Sequence, residues 1–315
     1  MEAVAQLAKH IREEMSKVVV GQDELKTQCL IVLLCGGHAL LEGVPGIAKT
    51  LAVKTLSQLL RLEFQRVQCT SDLMPADIIG TNVLNLSNST FQLHPGPIFT
   101  HMLLVDEINR MPPRTQAALL ECMEERQVTI DGTRHDLSPW FTVFATQNPI
   151  EFEGTYPLPE AQLDRFLVKI RVPYPEAAEE IQLLANFHNG FDPHQLSAMG
   201  LIAIDPVLLT RARDEVGTVK VQESLFSYIS QIARRTRDWP ALSLGASPRA
   251  AVSLMLFSKA VAAVDGREYL IPDDVKQSVL PVLRHRIVMK PEADLEGVTP
   301  DQVIQDVLRA VEVPK

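Results

Sequence analysis

Two short strings carry residue types that can do chemistry together. The first runs from Gly43 through Val44, Pro45, Gly46, Ile47, Ala48, Lys49 and Thr50 to Leu51. An apolar run, His38 to Leu41, precedes it, and Leu51, Val53, Leu56, Leu59 and Leu60 follow at helical spacing. Strand, glycine loop, Lys-Thr and helix is the context of a phosphate-binding loop. Backbone N–H groups of such a loop converge on phosphate oxygens, and the positive helix end adds to the field. Lys49 is placed to reach β- and γ-phosphates, and the Thr50 hydroxyl to ligate Mg²⁺. The usual pattern has glycine just before the lysine, where this chain has Ala48. Alanine fits if that residue is in right-handed helical geometry, so that geometry is expected. A Gly/Pro turn before an ordinary Lys-Thr helix start reads the same way, so the loop needs a second element.

The second string is HMLLVDEINR, His101 to Arg110. An apolar strand here ends in two carboxylates, and in open α/β sheets ligands bind at that end of the strands. Asp106 suits Mg²⁺, directly or through water, and Glu107 suits activation or orientation of an attacking water. Alone, the pair is a solvated acidic turn. With a phosphate loop upstream it points to nucleotide hydrolysis.

The surrounding elements follow from periodicity. Residues 1–17 read as an amphipathic helix, with Val4, Leu7, Ala8 and Ile11 on one face. A second helix begins at Gln22 or Asp23 and stops at Gly36-Gly37. Glu63 to Cys69, His101 to Val105, Phe141 to Thr146 and Leu167 to Val172 read as strands. A helix is expected to carry Leu163, Asp164, Arg165 and Phe166. Two hairpins are expected, one around Val83 and Phe91 with a polar turn at 87–89, the other turned by Asp131-Gly132. Strands alternating with helices imply a mostly parallel sheet covered on both faces. Past Pro173 only helical patterns remain. This gives an α/β domain over 1–173 and an all-α domain over 174–315, with a loosely docked polar tail from Lys290.

The 315 residues suffice for two domains with their own cores. The net charge of −9 and pI near 5.4 argue against an overall nucleic-acid-binding surface. Tyrosines and tryptophans do not interleave with basic residues, so a base-stacking surface is not expected. Cys29, Cys35, Cys69 and Cys122 lack metal spacing and read as buried thiols in a reducing compartment. His38, His94 and His101 have no ligand partners in sequence, so no metal beyond Mg²⁺ is expected. The start of the chain lacks a signal-peptide pattern, and the longest apolar stretch is too short to span a bilayer. The expected location is cytoplasmic.

The strings resemble those of AAA+ ATPases, and among them the MoxR family. The matching pieces are GVPGIAKT (Gly43 to Thr50), LLVDEINR (Leu103 to Arg110), PPRTQAALLECMEERQVTIDG (Pro112 to Gly132), FATQNPIE (Phe144 to Glu151), GTYPLPEAQLDRF (Gly154 to Phe166) and GASPRA (Gly245 to Ala250). They cover about Val18 to Ile287, and the family tolerates alanine before the loop lysine. The resemblance implies a P-loop core with a five-stranded parallel sheet of order 5-1-4-3-2 and a helical lid. It assigns Asn148 to sensor 1, Arg165 to the arginine finger, and Arg249 to sensor 2 reaching back to its own subunit's γ-phosphate. It places Val20, Gly21 and Gln22 against adenine, and the hairpins as insertions facing a pore or a client.

A finger supplied to a neighbour needs a neighbour, so an oligomer is expected, by resemblance a homo-hexamer. The implied activity is hydrolysis of Mg²⁺-bound ATP to remodel or mature client proteins. By resemblance, partners carry von Willebrand factor A domains, and roles include metal-cofactor insertion or complex assembly. A nucleic-acid motor is the alternative, disfavoured by the acidic charge. A switch that binds ATP without turnover is disfavoured by Glu107.

Overall fold

The computed structural model describes all residues except 88, 150–153, 194 and 315. Residue 88 of the first expected hairpin turn and the end of the FATQNPIE string therefore lie outside the described residues. The chain opens with α1 (Glu2–Ser16) and α2 (Asp23–Cys35). β1 (Ala39–Glu42), α3 (Lys49–Leu59) and β2 (Phe64–Gln68) follow, then α4 (Pro75–Ile79) and the hairpin β3 (Gly80–Asn85) to β4 (Thr90–Pro95). Next come β5 (Met102–Asp106), α5 (Pro113–Glu125), the hairpin β6 (Gln127–Ile130) to β7 (Thr133–Asp136), β8 (Thr142–Gln147), α6 (Glu160–Leu163) and β9 (Val168–Arg171). Helices dominate thereafter: α7 (Ala177–His188), α8 (Pro206–Thr218), α9 (Glu223–Arg237), α10 (Pro248–Val264), α11 (Pro272–Leu283), α12 (Pro291–Leu295) and α13 (Pro300–Ala310). The short strands β10 (Leu242–Leu244) and β11 (Val288–Met289) pair antiparallel among them.

The central sheet is parallel throughout, in the order β2-β5-β8-β1-β9. Counted as first to fifth core strand and read from the β9 edge, that is 5-1-4-3-2, the expected order. Every residue of β5 is buried, because the strand lies between β2 and β8 and both faces of the sheet are covered. Parallel pairing puts the C-terminal ends of β1, β5 and β8 on one edge, where the loops carrying the candidate residues leave the sheet.

α2 is apolar nearly all round because it is a central helix, packed by α1, α3, α8, α10 and β9. α1 packs mainly on α8. The Glu215 carboxylate of α8 accepts from the Ala3 and Val4 N–H groups at 3.1 and 3.0 Å, capping the open N-terminus of α1. The N-terminal helix thus lies against the C-terminal half of the chain, and the 1–173 unit is not packed on itself alone. The Pro173–Glu176 segment, where the boundary was expected, connects β9 to α7.

Two expectations are corrected. The tail does not hang loose: α13 packs on α9 and α11 and buries Val303, Ile304 and Val307. A Thr299/Gln302 capping box starts it, with the Gln302 N–H donating to Thr299 Oγ1 and the Thr299 N–H to Gln302 Oε1. The helix before β9 ends at Leu163, so Arg165 lies beyond it, in the turn that follows. Just past that end, the Asp164 carboxylate accepts from the buried Arg286 (Nε to Oδ1, 2.7 Å) and from Ser247 (2.9 Å).

Candidate nucleotide-binding site

The loop between β1 and α3 is shaped by tight approach and by left-handed backbone. A Cβ at Gly43 would stand 2.6 Å from Ile47 Cδ1 and 2.7 Å from the Val172 carbonyl oxygen, so only glycine fits. Gly46 has φ +84°. Ala48 has φ 64° and ψ 17°, which is left-handed. The expected right-handed geometry is wrong: Ala48 is the cap residue that turns the loop into α3, and an L-residue there is strained by about 1–2 kcal/mol. No side chain caps α3, so its first N–H groups are open to an anion. Lys49 Nζ donates to the Gly43 carbonyl and, at 3.2 Å, to the Val44 carbonyl. Burial lowers its pKa, and the charges of Asp106, Glu107 and Glu42 oppose that shift.

Asp106 ends β5 buried, and Glu107 follows with φ 59°. That left-handed turn separates the two carboxylates. Thr146 of β8 ties them together: its Oγ1 donates to Asp106 Oδ1 at 3.2 Å and accepts the Glu107 N–H at 2.9 Å. From β2, Arg66 Nε donates to Asp106 Oδ2 at 2.6 Å, and Gln68 Nε2 to Glu107 Oε2 at 3.2 Å. Arg110 Nε stands 3.1 Å from the same Glu107 oxygen.

Loop and carboxylates open on one cavity of about 420 Å³. Of the expected residues, Val20, Gln22, Asp106, Glu107, Asn148 and the run Pro45 to Leu51 line it. Gly43 and Val44 do not, but their carbonyls hold Lys49. Gly21 does not line it either and lies tight against the Glu179 carboxylate. Asn148 is buried. Val18, Val19, Leu183, Phe187 and Phe191 give the cavity an apolar wall. Phe187 and Phe191 pack edge to face, with centroids 5.4 Å apart.

The sequence reading missed two groups. Arg66, Gln68 and Thr146 reach the carboxylates from neighbouring strands. Leu183, Asn186, Phe187 and Phe191 bring α7 and its following loop into the cavity wall. The clue for the second group was that α7 has apolar residues on a helix with no buried face.

Arg165 and Arg249 do not line the cavity. Both go to Glu124 near the end of α5: Arg165 Nε lies 3.9 Å from Oε2, and Arg249 Nη2 donates to Oε1. Glu124 thus holds Arg249, expected to reach its own subunit's γ-phosphate, away from the cavity wall. Ser247 caps α10 through the Ala250 N–H at 3.1 Å, and its hydroxyl donates to Asp164, which holds the first turn of α10 beside the Arg165 turn.

Known proteins resemble the chain along nearly its whole length. Residues 38–168 match the model of the ATPase family associated with various cellular activities, and residues 234–307 match the AAA lid domain. Chaperone MoxR1 of Mycobacterium tuberculosis is 42% identical over 311 residues, covering 96% of this chain and 81% of that protein. Uncharacterized protein YeaC of Bacillus subtilis is 42% identical over 302 residues, covering 96% and 93%. A crystal structure from Cytophaga hutchinsonii superposes with a TM-score of 0.90 at 40% identity, covering 100% of this chain and 98% of that one. Phosphate loop, carboxylate strand, sheet order and lid thus occur together in a chain that belongs to the MoxR family of AAA+ ATPases and is an ATP hydrolase.

Proposed function

We propose that this ATPase hydrolyses Mg²⁺-bound ATP within a homo-hexameric ring and uses the cycle to remodel client proteins. The observation that carries the reading is the convergence of Lys49, Asp106, Glu107 and Asn148 on one cavity at the C-terminal edge of the sheet. The donor set fits the metal. Thr50 and Asp106 offer oxygen ligands, and Mg²⁺ takes few protein ligands besides phosphate oxygens and water. Among the described residues no group of three or more His, Cys, Asp or Glu gathers to hold a metal ion by itself. Bound there, Mg²⁺ would neutralise charge on the β- and γ-phosphates.

The chain's own residues do the rest in this reading. The N–H groups of residues 45–51 hold the phosphates, with Lys49 leaving the Gly43 and Val44 carbonyls to neutralise them. Glu107 orients or deprotonates the water, and Asn148 places its amide beside the γ-phosphate. The apolar walls from Val18 to Gln22 and from α7 take adenine. Arg165 acts on the neighbouring subunit's nucleotide, and Arg249, once it leaves Glu124, on the γ-phosphate of its own subunit. A hinge in the Pro173–Glu176 segment divides the core from the helical lid.

Protein clients are supported by the chaperone naming of a relative at 42% identity, which does not favour a nucleic-acid motor. The exposed Val83, Leu84 and Phe91 on the β3–β4 hairpin supply an apolar client-facing surface. That hairpin is tied to the next one by Asn82 Nδ2 donating to Asp131 Oδ2 at 2.9 Å. A von Willebrand factor A domain partner, metal-cofactor insertion and a cytoplasmic location complete the proposal. No helix among the described residues is long and apolar enough to cross a membrane. The test is Glu107→Gln: ATP stays bound, turnover falls roughly 10²-fold or more, and rings frozen with ATP retain the client for identification. Wild-type turnover in that variant overturns the assignment.

A further inference from the structure

Arg66 is a second cation at the phosphate end of the cavity. It lies on the edge strand β2, opposite Leu104 of β5 and two residues from Gln68, so both side chains leave the same face. Its Nη2 donates to Gln68 Oε1 at 3.1 Å while its Nε holds Asp106 Oδ2 at 2.6 Å. Thr146 takes the other Asp106 oxygen. Each Asp106 oxygen thus accepts one hydrogen bond, and the guanidinium charge sits directly on the carboxylate that would ligate Mg²⁺. The Arg66 side chain is 52% exposed and Asp106 only 9%, so the arginine can swing away while the carboxylate stays.

We propose that Arg66 trades Asp106 for the terminal phosphate when metal-bound ATP enters, an exchange that rests on the Mg²⁺-ATP reading above. A divalent ion ligated by Asp106 and a guanidinium on the same carboxylate repel each other, so binding the ion weakens the Arg66 bond and frees the guanidinium. Once displaced, Arg66 remains at the cavity wall, beside the group of highest negative charge there. Its planar fork matches phosphate oxygens. Arg66 is thus a specificity-determining residue that favours triphosphate over diphosphate. It also lessens the gain from the metal, because Mg²⁺ binding first breaks a charge-assisted bond.

The test is equilibrium binding of ADP and a non-hydrolysable ATP analogue, each in Mg²⁺ and in EDTA. Arg66→Gln should reduce the preference for the ATP analogue over ADP in Mg²⁺ by roughly tenfold, the scale of one charge-assisted hydrogen bond. It should also raise the affinity gained on adding Mg²⁺ by several-fold. Arg66→Lys, which keeps the charge and loses the fork, should move both values the same way by less, and serves if the glutamine variant does not fold. A wild-type value of either quantity in a folded variant overturns the exchange. Wild-type protein that binds neither nucleotide overturns the site reading itself instead.

Discussion

The Arg249 guanidinium is ion-paired with Glu124, which ties the first turn of α10 to the end of α5. Arg165 approaches the other oxygen of the same carboxylate. These side chains are 31–45% exposed, so the pairs add at most about 1 kcal/mol to stability. Their importance is geometric: Glu124 gathers two cations from distant parts of the chain onto one face, outside their own cavity.

Arg165→Ala and Arg249→Ala should each bind ATP with wild-type affinity and lose turnover by roughly 10²-fold or more, as expected for a guanidinium acting on the transferred phosphoryl group. Mixing Arg165→Ala with Lys49→Ala subunits makes interfaces where an intact arginine meets an intact pocket. ATPase activity should reappear in the mixture. No recovery in rings shown to be mixed removes the trans role.

Lys49 and Glu107 line one cavity and should fail differently. Lys49→Ala removes the cation of the phosphate loop and should abolish ATP binding, with the fold retained because the side chain bonds only to the loop's own carbonyls. Glu107→Gln should bind ATP normally. Calorimetric titration of both variants decides it: equal ATP affinity in the two would undo the division of roles.

Ala48 holds a left-handed backbone without being glycine. Ala48→Gly removes that strain but loosens the unfolded chain, so the expected net gain is about 0.5–1 kcal/mol. Ala48→Val places a β-branched side chain where such residues are outliers, and should weaken both stability and ATP binding. Urea unfolding without nucleotide measures the first effect. A glycine variant clearly less stable than wild type would mean that Ala48 is not left-handed in solution.

The legible parts of this site were contiguous strings. The glycine loop and the apolar strand ending in Asp106-Glu107 each announce themselves within ten residues, because local backbone and local charge make the chemistry. Sheet order came from family resemblance, since periodicity does not say which strand lies beside which. Arg66 could not be found by reading: its place on Asp106 depends on β2 pairing with β5 in one register. Glu124 was not singled out either, because its two arginines come from distant parts of the chain. The tail was misread because Val303, Ile304 and Val307 form a narrow apolar stripe in a polar stretch, and average composition hid it.

His38 makes the protein sensitive to acid. It stands just before β1, buried, with Nε2–H donating to the Met123 carbonyl at 3.1 Å and Nδ1 accepting the Val143 N–H at 2.9 Å. Those two bonds specify the neutral ring, and a proton on Nδ1 would face the Val143 N–H. Burial pushes its pKa down to about 4, against about 6.5 in an unfolded chain. Between those values the unfolded chain binds the extra proton, so this stability is whole above pH 6.5 and is lost as pH falls through 4. By pH 5 the loss is about 2 kcal/mol. His285 is buried, lowered well below its usual value, and adds in the same direction. Urea unfolding at pH 7 and pH 5 measures the two contributions together, and a His38 variant separates the first. His38→Gln should start less stable at pH 7, because its amide cannot reproduce both ring contacts, and should lose about 2 kcal/mol less than wild type on going to pH 5. An acid loss equal to that of wild type would mean that the His38 ring is not held neutral in the folded chain.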